Sequence, residues 1–337
     1  MKKIAILVFF TVGFFVHVWA CTGLIAGKQA TVDGSVLVTY SADSHTLYGA
    51  LTSSPAADWP KGSMRSIVEW DTNKPLGEIE QVEHTYAVIG NMNEHQLTVV
   101  ESTWGGRPEL VDTTGIIDYG SLMQLALERA KTAREAIKVM TGLVKKYGYY
   151  SSGESFTIAD PNEAWILDLI GKSPGRRGAV WVAVRIPDDC IAGHANYPRI
   201  HKIPMDDKEN CLYSPDVISF AREMGYFDGL NKDFSFARAY SPADFGALRA
   251  CDARVWSFFR KYDSSMDNYL PYVNGESAEP FPLYVKPSRK LSVQDMKEAM
   301  RDHFEDTPFD MTQDVGAGPF KVPYRFRPMS FEVDGKS

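Results

Sequence analysis

Val18-Trp19-Ala20-Cys21-Thr22-Gly23 joins the end of an apolar leader to a cysteine that opens a strand-like segment. A cut between Ala20 and Cys21 puts a thiol and a free amine on one residue. The α-amino group has a reference pKa of about 7.7–8.0 and a thiol about 8.5, so the amine can take the thiol proton near neutral pH. A cysteine in that position carries its own general base, whereas an internal cysteine needs a neighbour to activate it. The competing reading is the first cysteine of an exported chain, lipidated or paired in a disulfide.

Upstream of this stretch the chain has the pattern of a secretory signal peptide. Lys2 and Lys3 form a positive start, and Ile4 to Trp19 is apolar apart from Thr11, Gly13 and His17. Val18 and Ala20 stand where small residues are expected before a cut. The run is short for a membrane span, and no later stretch is apolar for long enough. Bulky Trp19 occupies a place where lipoprotein signals prefer a small residue, which favours ordinary cleavage and an exported, periplasmic or extracellular product.

The 337-residue chain carries 36 Lys+Arg against 43 Asp+Glu, and losing residues 1–20 with Lys2 and Lys3 leaves a net charge of about −9. That balance, with no basic run to reverse it locally, argues against a nucleic-acid partner. Hydrophobic residues at 44% suffice for a packed core, in one large domain or two ordinary ones. Cys21, Cys190, Cys211 and Cys251 are too sparse for a disulfide scaffold; with Cys21 kept free, at most one bridge forms among the other three. There is no Cys-x-x-Cys and no His-Glu-x-x-His, so no metal site is expected, and no glycine-rich fingerprint of a nucleotide cofactor. Glu94-His95 reads as a turn feature.

Leu24-Ile25-Ala26, Asp33-Gly34 and Val36-Leu37-Val38 read as strand, turn, strand. The hairpin returns Tyr40 to His45 to the Cys21 end, so Asp43 can hold an amine there or simply cap a turn. Thr85 to Gly90 and Gln96 to Glu101 form a second pair of strands, followed by a glycine-containing loop, Ser102 to Arg107. Asp118 to Lys146 is helical, divided by the capping-box pattern Thr132-x-x-Glu135. Strands follow at Ser155 to Ala159, Ala164 to Ile170 and Val180 to Ile186. Cys190 to Asn196 runs from a short strand into a turn, where Asn196 can donate its amide to an oxyanion or merely serve the loop. Helical spacing returns at Pro215 to Met224, Pro242 to Phe259 and Ser292 to Phe304, while Pro271 to Pro287 reads as a surface loop. Strands, helices, then more strands indicate an α+β fold of antiparallel sheets with helices on their faces.

Taken in order, Cys21-Thr22-Gly23, Asp33-Gly34-Ser35, Asn93-Glu94-His95-Gln96, Glu101-Ser102-Thr103, Ala159-Asp160-Pro161-Asn162-Glu163-Ala164-Trp165, His194-Ala195-Asn196 and Arg254-Val255-Trp256 resemble the C69 family of cysteine dipeptidases. These are N-terminal nucleophile hydrolases, more distantly similar to choloylglycine hydrolases and penicillin V acylase. The resemblance implies a four-layer αββα sandwich spanning 21–337 and amide hydrolysis through a thioester. It gives Cys21 as nucleophile, Asp43 as the acid that contacts its amine, Asn196 as oxyanion donor and Arg254 as the site arginine. It implies a dipeptide or short peptide as substrate and no cofactor. Many relatives have an arginine shortly before the aspartate, where this chain reads Tyr40-Ser41-Ala42. Family members generally continue beyond the point where this chain stops, at Phe331 to Ser337. The expectation is a truncated or split reading frame, or a second chain that completes the sheet; a monomer unfolding in one sharp transition would count against it. Two rivals remain: the same fold acting on another amide, such as a conjugated bile acid or a penicillin side chain, and a binding lipoprotein with a modified Cys21.

Overall fold

The computed structural model describes residues 21–43 and 49–324; the leader, and the chain end from 325 on, lie outside the described residues. Two antiparallel sheets dominate. The smaller has the order Tyr284–Val285, Ile191–His194, Thr22–Ala26, Leu37–Ser41. The larger runs Cys211–Tyr213, Ala179–Ile186, Ala164–Gly171, Gly153–Ala159, Thr98–Gly105, then three two-residue strands, Met92–Asn93, Val88–Ile89 and Ser53–Ser54. The strands of 153–186 are rich in Val, Ile and Trp, which suit a pleated surface, and almost every residue in them is buried.

Three apolar cores lie in series. In the first, Leu122, Ile137 and Met140 of the Tyr119–Arg129 and Ala133–Tyr147 helices pack on Val99, Phe156 and Leu167 of the large sheet. The second joins the sheets, with Ile25 and Ala192 against Ile166 and Val182. In the third, Leu24, Ala26 and Ile191 meet Val255, Phe258 and Phe259 of the Ala253–Arg260 helix and Met296 of the Val293–Ala299 helix. Period-two alternation explains the division: Ile25 turns to the other sheet while Leu24 and Ala26 turn to the helices. The order is helices, sheet, sheet, helices.

Several boundaries differ from the sequence reading. The first hairpin is antiparallel, with Thr22 opposite Ser41, but Ala26 and Leu37 are joined by a ten-residue loop in place of a tight turn. Gly34 takes φ +79° within it, and Asp33 accepts hydrogen bonds from Ser35 N and Oγ. The expected strand over Thr85 to Gly90 is broken into His84–Thr85 and Val88–Ile89. The expected loop from Ser102 is strand through Gly105, with an irregularity between Thr103 and Gly105 where φ is +70° at the glycine. The two helices divide at Thr132, whose side chain caps Glu135 N; the Glu135 carboxylate bonds Lys131 N in place of the cap residue itself. Within the Pro271 to Pro287 loop, Tyr284–Val285 pairs with Ile191–His194 as an edge strand. The Pro242 helix starts late and passes through a π-helical segment, Ala247–Asp252, before Ala253–Arg260. The last helix, capped by a full Ser292–Asp295 box, stops at Ala299.

Candidate active site

Cys21 precedes the first strand, and its neighbour in the ladder, Gly23, lies opposite both Tyr40 and His194. Glycine is required there by close approach: a Cβ on Gly23 would stand 2.8 Å from His194 Nε2. That ring bridges the strands of the large sheet, with Nδ1 2.7 Å from Ser102 Oγ and Nε2 2.8 Å from Thr157 Oγ1. Burial, helped by the charges of Arg254 and Arg199, lowers the His194 pKa to about 3 and keeps the ring neutral. His194 is therefore a tie between sheets and no acid–base group.

Arg254 draws the site together. It sits in the first turn after the π-helical segment, and its Nε bonds Ala250 O at 2.9 Å. Nη1 donates to Cys21 O at 2.8 Å and Thr22 Oγ1 at 2.7 Å. Nη2 donates to Asn196 Oδ1 at 2.8 Å and to Ala195 O at 3.3 Å. A planar fork with fixed donor directions can hold these acceptors at once, which a lysine cannot. Binding Oδ1 also fixes which way the Asn196 amide points: its Nδ2 is turned away from the arginine and donates to Thr103 O. Asn196 has φ +54°, a left-handed conformation that Asn tolerates better than most residues.

The Cys21 sulfur is buried, with 3% of the residue exposed. Burial pushes the thiol pKa well up, the charge of Glu101 adds to this, and the backbone N–H of Asp43 works against it by bonding the sulfur. Asp43 is thus beside Cys21, but through its main chain; its exposed carboxylate accepts from Ser41 Oγ at 3.0 Å. The structure brings all four sequence candidates, Cys21, Asp43, Asn196 and Arg254, to one place.

Three further groups, Tyr40, Glu101 and Glu154, act on the thiol. The Tyr40 hydroxyl donates to Glu101 Oε1 at 2.5 Å, and Thr103 Oγ1 donates to Glu154 Oε1 at 2.6 Å. Tyr40 opens the Tyr40-Ser41-Ala42 stretch, the place where the resemblance implies an arginine in many relatives; here a neutral donor bonds a buried acid. Glu101 was visible as part of a quoted motif without a role; the signal overlooked was an acid within an otherwise apolar strand pattern, repeated at Glu154. A cavity of about 970 Å³ lined by Arg199, His201, Lys202, Phe234 and Pro282 includes none of the Cys21 group and is separate from it. Among the described residues no set of His, Cys, Asp or Glu is arranged to hold a metal ion, and all four cysteines are free thiols.

The chain is 28% identical over 318 residues to a probable dipeptidase of Salmonella dublin, a match covering 86% of this chain and 68% of the relative. It is 25% identical over 312 residues to a probable dipeptidase of Latilactobacillus sakei, covering 86% and 62%. With dipeptidase A of Lactobacillus helveticus the identity is 25% over 328 residues, covering 90% and 66%. The chain thus spans roughly two thirds of the length of these relatives. A family model for peptidase family C69 matches residues 20–337, and the chain belongs to that family.

Proposed function

We propose that the protein is an exported cysteine dipeptidase with an N-terminal nucleophile hydrolase fold, activated by signal cleavage before Cys21. The observation that carries this reading is the Arg254 fork, which ties the Cys21 carbonyl to the Asn196 amide and so gives nucleophile and oxyanion donor a fixed separation. The dipeptidase names of the relatives supply the substrate class.

After cleavage the Cys21 amine takes the thiol proton and the thiolate attacks the scissile carbonyl carbon. Asn196 Nδ2, with a backbone N–H, holds the oxyanion; one such donor contributes about 3–4 kcal/mol to the transition state. The protonated amine gives its proton to the leaving nitrogen, the C–N bond breaks, and an aminoacyl thioester remains. Water, deprotonated by the same amine, then displaces Cys21 and restores the thiol. Asp43 N–H stabilises the thiolate, and the Asp43 carboxylate attracts the Cys21 ammonium.

A panel of dipeptides, a bile-acid conjugate and penicillin V, assayed on the processed chain, tests this. Dipeptide turnover that is lost in Cys21→Ala is the expected result. Turnover that survives in Cys21→Ala, or that is confined to the bile-acid or penicillin amides, would refute the dipeptidase assignment.

A further inference from the structure

Glu101 and Glu154 are almost wholly buried, at 2% and 0% exposure, and they share one face of adjacent strands, Glu154 lying opposite Thr103 in the ladder. Their side chains meet, and each pKa is raised, first by burial. Oε2 of each carboxyl lacks a donor among the described residues. Two buried carboxylates in contact oppose each other's ionisation, and a cation placed between them would relieve that opposition. No ion pair among the described residues involves either acid. Arg254, the site's arginine, is engaged with Cys21, Thr22, Ala195 and Asn196. An ionised carboxylate here would be buried and uncompensated, which is costly, and the pair adjoins the nucleophile: the Glu101 carboxyl and the Cys21 thiol act on each other directly.

We propose that the Glu101–Glu154 pair seats the α-ammonium group of the substrate's N-terminal residue, and so selects peptides with a free amine. This rests on the dipeptidase reading for the nature of the substrate. The α-nitrogen of an aminoacyl group lies about 2.5 Å from its carbonyl carbon, two bonds away. When the Cys21 sulfur attacks that carbon, the ammonium must fall within a few ångströms of the sulfur, where Glu101 stands. Tyr40 and Thr103 hold one oxygen of each acid, which leaves Oε2 of both to the incoming cation. The arriving positive charge also offsets the Glu101 charge, which adds to burial in raising the thiol pKa, so a substrate with a free amine assists its own attack. The Cys21 ammonium is a second source of the same chemistry, and the experiment separates the two.

Calorimetric binding of Ala-Ala and of propionyl-Ala, which lacks only the amine, is measured on the processed Cys21→Ala chain. This variant keeps its own terminal amine and cannot turn substrate over. The expected result is at least tenfold tighter binding of Ala-Ala, with the preference lost in Cys21→Ala/Glu101→Gln while propionyl-Ala binding is unchanged. Cys21→Ala/Glu154→Gln should behave alike. Equal or undetectable binding of the two ligands to Cys21→Ala, as expected if the pair holds the chain's own ammonium, would overturn the inference, as would a preference that survives both Gln variants. A binding preference without hydrolysis by the wild-type chain would instead sink the dipeptidase reading and leave the ammonium seat standing.

Discussion

Arg254 donates from all three guanidinium nitrogens, and the acceptors belong to three separate segments: its own helical turn, the Cys21 strand and the Asn196 turn. A lysine at this position retains the charge and loses the fork, so the Asn196 amide keeps only its bond to Thr103 O and the proposed oxyanion donor is less firmly aimed. Arg254→Lys should lower kcat for dipeptides roughly 10–100-fold with a smaller change in KM. Steady-state kinetics on the processed variant reads this; an unchanged kcat would remove Arg254 from the positioning machinery. At this scale the sequence was only partly informative. Nothing in helical spacing distinguishes Arg254 from an arginine in solvent, and the resemblance alone singled it out. Glu101 and Glu154 went unassigned because their meaning lies in strand register: they touch only because Thr103 pairs with Glu154.

Asp168 lies within a strand buried on both faces, accepting hydrogen bonds from Ser155 Oγ at 2.6 Å and Ile200 N at 2.9 Å. Burial outweighs these bonds and raises its pKa to about 6. The folded state therefore keeps a proton that the unfolded chain has released. The resulting stability is present in full below the unfolded carboxyl range and is lost as pH rises through about 6. In Asp168→Asn this loss is absent, so the variant should gain on wild type by on the order of 2 kcal/mol between about pH 4 and pH 6. Denaturant unfolding across that window measures it, and a constant difference would contradict the assignment. The elements themselves were mostly legible. Asp118 and Thr132 mark the helix starts, and the Val- and Ile-rich runs of 153–186 mark the central strands. Several family-like motifs serve the fold: Asn93 Nδ2 donates to Leu127 O and Ala130 O at the end of one helix, and Asp160 accepts from Ala133 N at the start of the next. Legibility failed where tertiary context prevailed, as at Ser102 to Gly105, where residues that suit a loop extend a strand beside the site.

Across the whole molecule, the layering explains why the site lies where it does. The small sheet supplies Cys21, the turn after its neighbouring strand supplies Asn196, the outer helices supply Arg254, and the large sheet supplies Glu101 and Glu154. Three of the four layers thus converge on one residue, and only the order of motifs along the chain hinted at this, because strand order cannot be read from local periodicity. In the proposed mechanism function depends on an event at the chain's own beginning: in the 337-residue chain the Cys21 nitrogen is a peptide nitrogen, and it can serve as the base only once Ala20 is removed. The direct test is the intact mass and N-terminal sequence of the protein recovered in its dipeptide-hydrolysing form. The expected result is a chain beginning at Cys21 with an unblocked amine. Activity in a form that retains residues before Cys21, or whose Cys21 amine is acylated or thiol lipidated, would contradict it.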